Sequence, residues 1–209
     1  MPLELTTHTL LRIAGAETLT TNSDPPMWVA RSLLRAPWVV VRRTQARDSM
    51  IPVGVRGESR QQRFASWVSP AAILECVTPR ALAALRAWTS SPRCAEVPAL
   101  AALDSVEKIM RSHDLESLWG PTGSVGFELA CGCRTATVGS DLDLAVQLDR
   151  SVSAAHARSL HEALVALPVR SDVLLEMPQG AVALAEYARL PGSFVLRTPQ
   201  GPRLSTDTA

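Results

Sequence analysis

Residues 120–144 read G-P-T-G-S-V-G-F-E-L-A-C-G-C-R-T-A-T-V-G-S-D-L-D-L, and this stretch decides the fold that we predict. It opens with a Gly-Ser turn at 123–124 and closes with D-L-D-L at 141–144. Acidic and apolar residues alternate in the closing segment, which is typical of a β-strand. Asp141 and Asp143 are therefore expected on one face of the strand, about 7 Å apart, with the two leucines in a core.

This pairing predicts a site for phosphoryl or nucleotidyl transfer. Two neighbouring carboxylates repel each other, and Mg²⁺ (or Mn²⁺) bound by Asp141 and Asp143 would relieve the repulsion and leave coordination positions open for phosphate. Gly123 and Ser124 provide small side chains and accessible backbone N–H groups, which allow a phosphate to approach closely. A D-x-D pattern alone also occurs on solvated strand faces, so the Gly-Ser turn carries much of the argument.

Composition indicates a globular protein with room for two domains. The chain has 209 residues, of which 46% are hydrophobic and 20% charged. We see no basic segment followed by a long apolar stretch at the start, and no apolar run long enough to span a membrane, so a cytoplasmic location is expected. Cys131 and Cys133 form a C-G-C, but no second pair completes a zinc-ligand set, and reduced thiols are expected.

The net charge of +1 hides an uneven distribution. Residues 31–63 hold eight arginines against two acidic residues, whereas residues 114–186 hold ten acidic residues against four arginines. The first segment could bind a phosphate-rich ligand through forked guanidinium groups, and Arg42, Arg56 and Arg60 are the candidates. The alternative is two oppositely charged faces that hold domains together or keep the protein soluble.

The first half of the chain predicts a helix over 27–34 and then a β-hairpin. Its strands cover 38–43 and 51–57, with the loop near 46–50. Arg60, Arg63, Phe64 and Trp67 follow at near-helical spacing.

A helix is predicted to begin at Pro79 and to end near Trp88. The Ser-Ser-Pro that follows places the domain boundary near residues 88–96. The expected domains are 1–90 and 91–209.

The second half predicts a mixed sheet backed by helices, and the chain as a whole is predicted to be α/β in the α+β sense. The expected elements are helices over 98–113, 153–167 and 180–189, strands over 141–144, 169–176 and 194–198, and a frayed tail after Arg203. Asp172 lies in the second of these strands between residues that favour burial. It is a candidate third catalytic carboxylate, although it could instead pair with Arg170.

Several segments in the same order resemble one family along nearly the full chain. They are W-V-V-V-R-R at 38–43, P-V-G-V-R-G-E-S-R-Q-Q-R-F-A at 52–65, W-G-P-T-G-S-V-G-F-E-L-A at 119–130, S-D-L-D-L at 140–144, D-V-L-L-E-M-P-Q-G at 172–180 and L-R-T-P-Q-G-P-R-L at 196–204. The chain resembles the phosphoribosyl-dephospho-CoA transferases of malonate decarboxylase, also called malonate decarboxylase holo-[acyl-carrier-protein] synthases, within the nucleotidyltransferase superfamily.

The resemblance implies an N-terminal family-specific domain followed by a nucleotidyltransferase-like catalytic domain. It implies transfer of the prosthetic group from 2'-(5''-triphosphoribosyl)-3'-dephospho-CoA to a serine of the apo acyl carrier subunit, with release of pyrophosphate. Asp141 and Asp143 match the family's aspartate pair, and Gly123 and Ser124 match its phosphate turn. The spacing between turn and aspartates is longer than is usual in the superfamily, which leaves the loop 131–140 unplaced.

Two alternatives stay open. Another metal-dependent nucleotidyltransferase would use an ordinary nucleoside triphosphate, and turnover of ATP or CTP would support it. Nucleic acid is not expected as a partner, because the net charge is near zero and no basic stripe carries interleaved aromatic residues; no membrane partner is expected either. A non-catalytic carrier-binding module is the other alternative, and metal binding would test it.

Overall fold

A computed structural model describes residues 5–45, 47–59, 61–189 and 191–206, and the chain forms two units, Met1–Thr78 and Pro79–Ala209. The division lies earlier than the 90/91 boundary expected from the sequence. The reason is the helix at Pro79 and the turn after it, because Ala83 and Trp88 are buried in the core of the second unit.

Within its described residues, the first unit is a six-stranded antiparallel sheet in the order β2-β5-β4-β3-β1-β6. Its strands are β1 (Leu10–Ile13), β2 (Leu19–Thr20), β3 (Trp38–Val41), β4 (Ile51–Arg56), β5 (Arg63–Val68) and β6 (Ile73–Val77). Helix α1 (Met27–Arg35) covers one face, because Val29 and Leu33 bury against alternating strand residues such as Leu11, Val39 and Val53. The predicted hairpin is confirmed as β3 and β4.

The near-helical spacing noted after the hairpin was misleading. Arg63–Val68 is strand β5, which pairs with β4 along its whole length. Ser66 and Val68 are buried while Arg63 and Ala65 are exposed, so the burial has a period of two. Pairing with β4 therefore decides the conformation of this segment.

The second unit has a mixed sheet in the order β12-β11-β10-β9-β8-β7. Its strands are β7 (Trp119–Pro121), β8 (Leu142–Gln147), β9 (Ser171–Met177), β10 (Gly180–Ala183), β11 (Phe194–Thr198) and β12 (Gly201–Ser205). Only β8 and β9 are parallel among these neighbours, and a helix connects them. The predicted mixed sheet backed by helices is confirmed.

The helices of the second unit bury their apolar positions against this sheet. They are α2 (Pro79–Ala84), α3 (Pro98–Ala101), α4 (Leu103–Ser112), α5 (Gly123–Cys131), α6 (Ala154–Val165) and α7 (Leu184–Tyr187). Short 3-10 turns cover Ala16–Thr18, Pro70–Ala72 and Ala87–Ser90. No helix in the described ranges combines the length and apolar character needed to cross a membrane.

Two expectations for the C-terminal region were wrong. The segment expected as one helix over 180–189 is strand β10 followed by the single helical turn α7, because Gly180–Ala183 pairs with β9. In the tail expected to fray after Arg203, Leu204 and Ser205 instead continue strand β12 and pair with β11, while residues 207–209 lie outside the described residues. In both places, pairing between strands overrides the local pattern.

Candidate active site

The Gly-Ser turn and the D-x-D segment meet at the start of α5. The backbone N–H of Thr122 donates to the carbonyl of Asp143 at 2.8 Å. Gly123 has a φ of +58°, and a Cβ built on it would overlap the carboxylate oxygen Oδ2 of Asp143. Only glycine satisfies both the left-handed backbone and this close approach. The carboxylate of Asp143 therefore lies against the first residue of the helix.

Ser124 follows Gly123 in the first turn of α5. The residue is 8% exposed, and its carbonyl accepts a hydrogen bond from the Thr135 hydroxyl at 2.8 Å. The first N–H groups of a helix lack intrahelical partners and carry partial positive charge, which suits an anion. The turn therefore places a potential phosphate contact beside a carboxylate.

The predicted orientation of the D-x-D segment is confirmed. Leu142 and Leu144 are 0% and 1% exposed, whereas Asp141 and Asp143 are half-buried. Asp141 immediately precedes β8, and Asp143 is the second residue of that strand. The leucines anchor the strand in the core, which leaves both carboxylates outside it.

Asp172 is the register partner of Asp143 across the parallel strands β8 and β9. Register partners share a sheet face on strands about 4.8 Å apart, so the structure places the two aspartates side by side. Asp172 also forms an ion pair with Arg170 at 3.3 Å, and its side chain is 49% exposed. The structure is therefore compatible with both hypotheses for Asp172. It lies next to Asp143, and it is also the ion-pair partner of Arg170.

The donor set for a metal is small. Among the described residues, no group of three His, Cys, Asp or Glu side chains is arranged to hold a metal ion. Asp141 and Asp143 remain as a pair of oxygen donors. This pair fits Mg²⁺, which usually binds one or two carboxylates together with substrate phosphates and water. Binding of a metal here stays a prediction.

The candidate arginines belong to the first unit. Arg42 follows β3, and its side chain lies over Gly54, with Cδ 3.3 Å from an ideal Cβ at that glycine. Arg56 is two residues beyond Gly54 on β4, so Arg42 and Arg56 share a sheet face. Arg63 is directly opposite Arg56 on β5. Arg60 lies outside the described residues.

A buried ion pair that our sequence interpretation missed holds the loop before the aspartates. Glu128 on α5 is 5% exposed and accepts hydrogen bonds from Arg93 at 2.7 and 2.8 Å. The backbone N–H groups of Thr135 and Ala136 also donate to Glu128, each at 2.8 Å. Arg93 in turn donates to the Ala136 carbonyl at 3.1 Å. The Glu128 side chain therefore connects α5 to the segment that leads into Asp141.

A signal for Glu128 was present in the sequence. It lies in the apolar run G-F-E-L-A, where helix formation buries most side chains. A buried carboxylate needs a cation or several N–H donors. The pattern could have flagged Glu128, but it could not have named Arg93, which is 35 residues away.

Comparisons with known proteins cover both units. A family model described as the phosphoribosyl-dephospho-CoA transferase MdcG N-terminal domain matches residues 6–79, and the corresponding C-terminal domain model matches residues 81–208. No solved structure gives a significant match.

Curated relatives agree with the family models. A protein of Pseudomonas putida is 40% identical over 88% of this chain and 86% of its own length. One of Azotobacter vinelandii is 39% identical over 92% and 90%, and one of Klebsiella pneumoniae strain 342 is 36% identical over 95% and 93%. All three carry the name phosphoribosyl-dephospho-CoA transferase. The chain therefore belongs to the phosphoribosyl-dephospho-CoA transferase family.

Proposed function

We propose that this chain transfers the phosphoribosyl-dephospho-CoA group from 2'-(5''-triphosphoribosyl)-3'-dephospho-CoA to a serine of the apo acyl carrier subunit of malonate decarboxylase. The observation that carries the proposal is the contact between Gly123 and the carboxylate of Asp143. It joins a helix N-terminus suited to phosphate with carboxylates suited to a metal. The name shared by the relatives supports the choice of substrate.

The reaction needs no nucleophile from this chain. The carrier serine oxygen attacks the phosphorus attached to the ribose, a new P–O bond forms, and the bond to pyrophosphate breaks. The N–H groups at Gly123 and Ser124 would bind the phosphate oxygens on which negative charge develops. Asp141 and Asp143 would hold Mg²⁺ or Mn²⁺, which supplies neutralisation of that charge.

Asp172 is the candidate base for the carrier serine. It is next to Asp143 across the strands, and its side chain is half exposed, so a hydroxyl could reach it.

Arginines of the first unit are further candidates for binding phosphate groups. Arg42, Arg56 and Arg63 share one sheet face, so their guanidinium groups could contact the same polyanion. The triphosphate and diphosphate of the substrate are such anions, and an acidic carrier surface is another. Arg60 is retained as a candidate from the sequence.

The test is the intact mass of the apo carrier subunit after incubation with this protein, Mg²⁺ and triphosphoribosyl-dephospho-CoA. We expect a gain of one phosphoribosyl-dephospho-CoA group, which Asp141→Asn abolishes. The proposal fails if the mass is unchanged while the protein releases pyrophosphate from ATP or CTP. That result would identify a different nucleotidyltransferase on the same fold.

A further inference from the structure

A second concave site lies at the carboxyl ends of the parallel strands. A cavity of about 240 Å³ is lined by Met177 at the end of β9, Ser151 after β8, Tyr187 of α7, Leu196 of β11 and Arg203 of β12. The proposed transfer chemistry at Asp141 and Asp143 uses none of these residues. The lining joins apolar side chains to four polar or charged residues, Ser151, Gln179, Arg203 and Ser205, so it suits a ligand in which apolar and polar groups alternate.

The aromatic walls of the cavity are held in place. The rings of Tyr187 and Phe194 pack edge to face with centroids 5.4 Å apart, and the residues are 1% and 4% exposed. The Tyr187 hydroxyl donates to the Val152 carbonyl at 3.0 Å. Because the two ring planes are inclined to each other by 67°, they do not form a flat slot for a nucleobase. Together with Met177 and Leu196, they form an apolar wall suited to a flexible aliphatic chain.

The cavity also has a cation at its border. Arg203 is the register partner of Leu196, so both side chains are on the cavity face of the β11–β12 hairpin. Arg203 is exposed, and no carboxylate pairs with it among the described residues. Arg197, one residue after Leu196, points to the opposite face of the same hairpin.

We propose that this cavity binds the pantetheine arm of the CoA-derived substrate and that Arg203 binds the phosphate that precedes the arm; the assignment rests on the proposed function. Pantetheine alternates methylene and methyl groups with amides, which suits an apolar wall interrupted by the Ser151 hydroxyl and the Gln179 amide. A volume below the roughly 300 Å³ at which complete ligand sites begin fits one arm of a large substrate.

The distance between the cavity and the aspartates also favours the pantetheine arm as the group that the cavity binds. Asp172 and Met177 are five residues apart on β9, which corresponds to about 17 Å, and they face opposite sides of the sheet. The adenine of the substrate is joined to the reacting phosphorus through only two ribose rings. The pantetheine arm lies beyond a further diphosphate and is the part that can reach around the strand ends.

The experiment is calorimetric titration of the full chain with 4'-phosphopantetheine and, separately, with ADP. The variants are Arg203→Ala, the cavity-filling Leu196→Trp and the matched control Arg197→Ala, each checked by thermal unfolding. We expect Arg203→Ala to weaken 4'-phosphopantetheine binding about tenfold, as for a lost charge-assisted hydrogen bond. We expect Leu196→Trp to abolish this binding and leave ADP binding unchanged, and Arg197→Ala to bind as wild type.

The transfer assay with the same variants separates this inference from the proposed function. We expect KM for triphosphoribosyl-dephospho-CoA to rise with Arg203→Ala and Leu196→Trp while kcat is retained. Cavity-dependent 4'-phosphopantetheine binding without group transfer would contradict the proposed function alone. The cavity assignment is overturned if wild type does not bind 4'-phosphopantetheine, if Arg203→Ala and Arg197→Ala bind equally, or if Leu196→Trp removes ADP binding instead. If Leu196→Trp does not fold, the comparison of Arg203→Ala with Arg197→Ala tests the cavity assignment, because Arg203 is exposed.

Discussion

Gly123 meets two requirements at one position. Its φ of +58° is costly for any residue with a side chain, and its missing Cβ leaves room for the Asp143 carboxylate. Left-handed backbone alone costs a non-glycine residue about 1 kcal/mol. The overlap with Asp143 is a separate effect, because it displaces a residue of the candidate site.

Gly132 allows these two effects to be separated. It also has a positive φ, +71°, but a Cβ there would meet no atom within 4 Å. We expect Gly132→Ala to lose about 1 kcal/mol of stability and to keep its transfer rate. Gly123→Ala should lose similar stability or more and at least about 100-fold in kcat, since misplacement by 1 Å costs that much. Urea unfolding and initial transfer rates provide the measurements, and equal rates for the two variants would contradict the assigned role of Gly123.

Cys131 gives a prediction about pH. Burial raises the pKa of its thiol from 9.0 to about 12. Because the folded-state pKa is above the unfolded value, the protonated thiol stabilises the fold below pH 9.0, and this contribution is lost as the pH rises towards 12. We expect wild type to lose more stability than Cys131→Ala between about pH 8 and pH 11, measured by urea unfolding. A parallel loss of stability in the two proteins would show that the Cys131 thiol does not carry this pH dependence.

At the scale of elements, helix α5 and the loop after it act as one piece because Glu128 joins them. Its carboxylate accepts hydrogen bonds from Arg93, Thr135 and Ala136. The Thr135 hydroxyl donates a hydrogen bond to the Ser124 carbonyl. The loop is therefore held near its middle, at Thr135 and Ala136, against Ser124 and Glu128 of α5. This arrangement explains how a long connection can still place the aspartate beside the helix.

Glu128→Gln tests that role. The substitution removes the buried counter-charge of Arg93 and leaves only the exposed Glu96 as its acidic partner among the described residues, at 3.4 Å, so the free energy of unfolding should fall by more than for an exposed pair. We expect this loss in urea unfolding, together with a fall in kcat and little change in KM for the carrier. The matched control is Glu75→Gln, which removes the partner of Arg12 in an exposed ion pair and should cost about 1 kcal/mol or less. Equal stability losses, or an unchanged kcat in Glu128→Gln, would show that the pair does not position the loop.

At the scale of the whole molecule, the position of the boundary between units decides which fragments can fold. Trp88 is 1% exposed, packs on Trp119 of β7 with ring centroids 5.9 Å apart, and donates its indole N–H to Asp104 at 2.8 Å. A cut at 90/91 removes this side chain together with α2 from the second unit.

We therefore expect residues 79–209 expressed alone to unfold in one cooperative transition and residues 91–209 to lack one. Loss of a buried tryptophan costs about 3–5 kcal/mol, and a domain is stable by only about 5–15 kcal/mol. Near-ultraviolet circular dichroism with thermal unfolding measures the difference. If the shorter fragment unfolds at the same temperature as the longer one, Trp88 and α2 are not part of the folding unit.

The sequence by itself determined the fold class, the family, the β3–β4 hairpin and the outward direction of the D-x-D carboxylates. Each follows from short-range information, because alternation of apolar and polar residues specifies a strand and its buried face. The same local information failed at residues 63–68 and 180–183, where strand pairing set the conformation. Local patterns cannot show which distant strand offers its hydrogen bonds.

Only the tertiary structure decided how the candidate site is assembled. The contact of Gly123 with Asp143, the pairing of Asp143 with Asp172 and the bond from Arg93 to Glu128 each join residues far apart in the chain. Their geometry depends on strand register and on the packing of α5, which no spacing in the sequence specifies. The boundary before Pro79 has the same origin, since burial of Trp88 against Trp119 assigns that segment to the second unit.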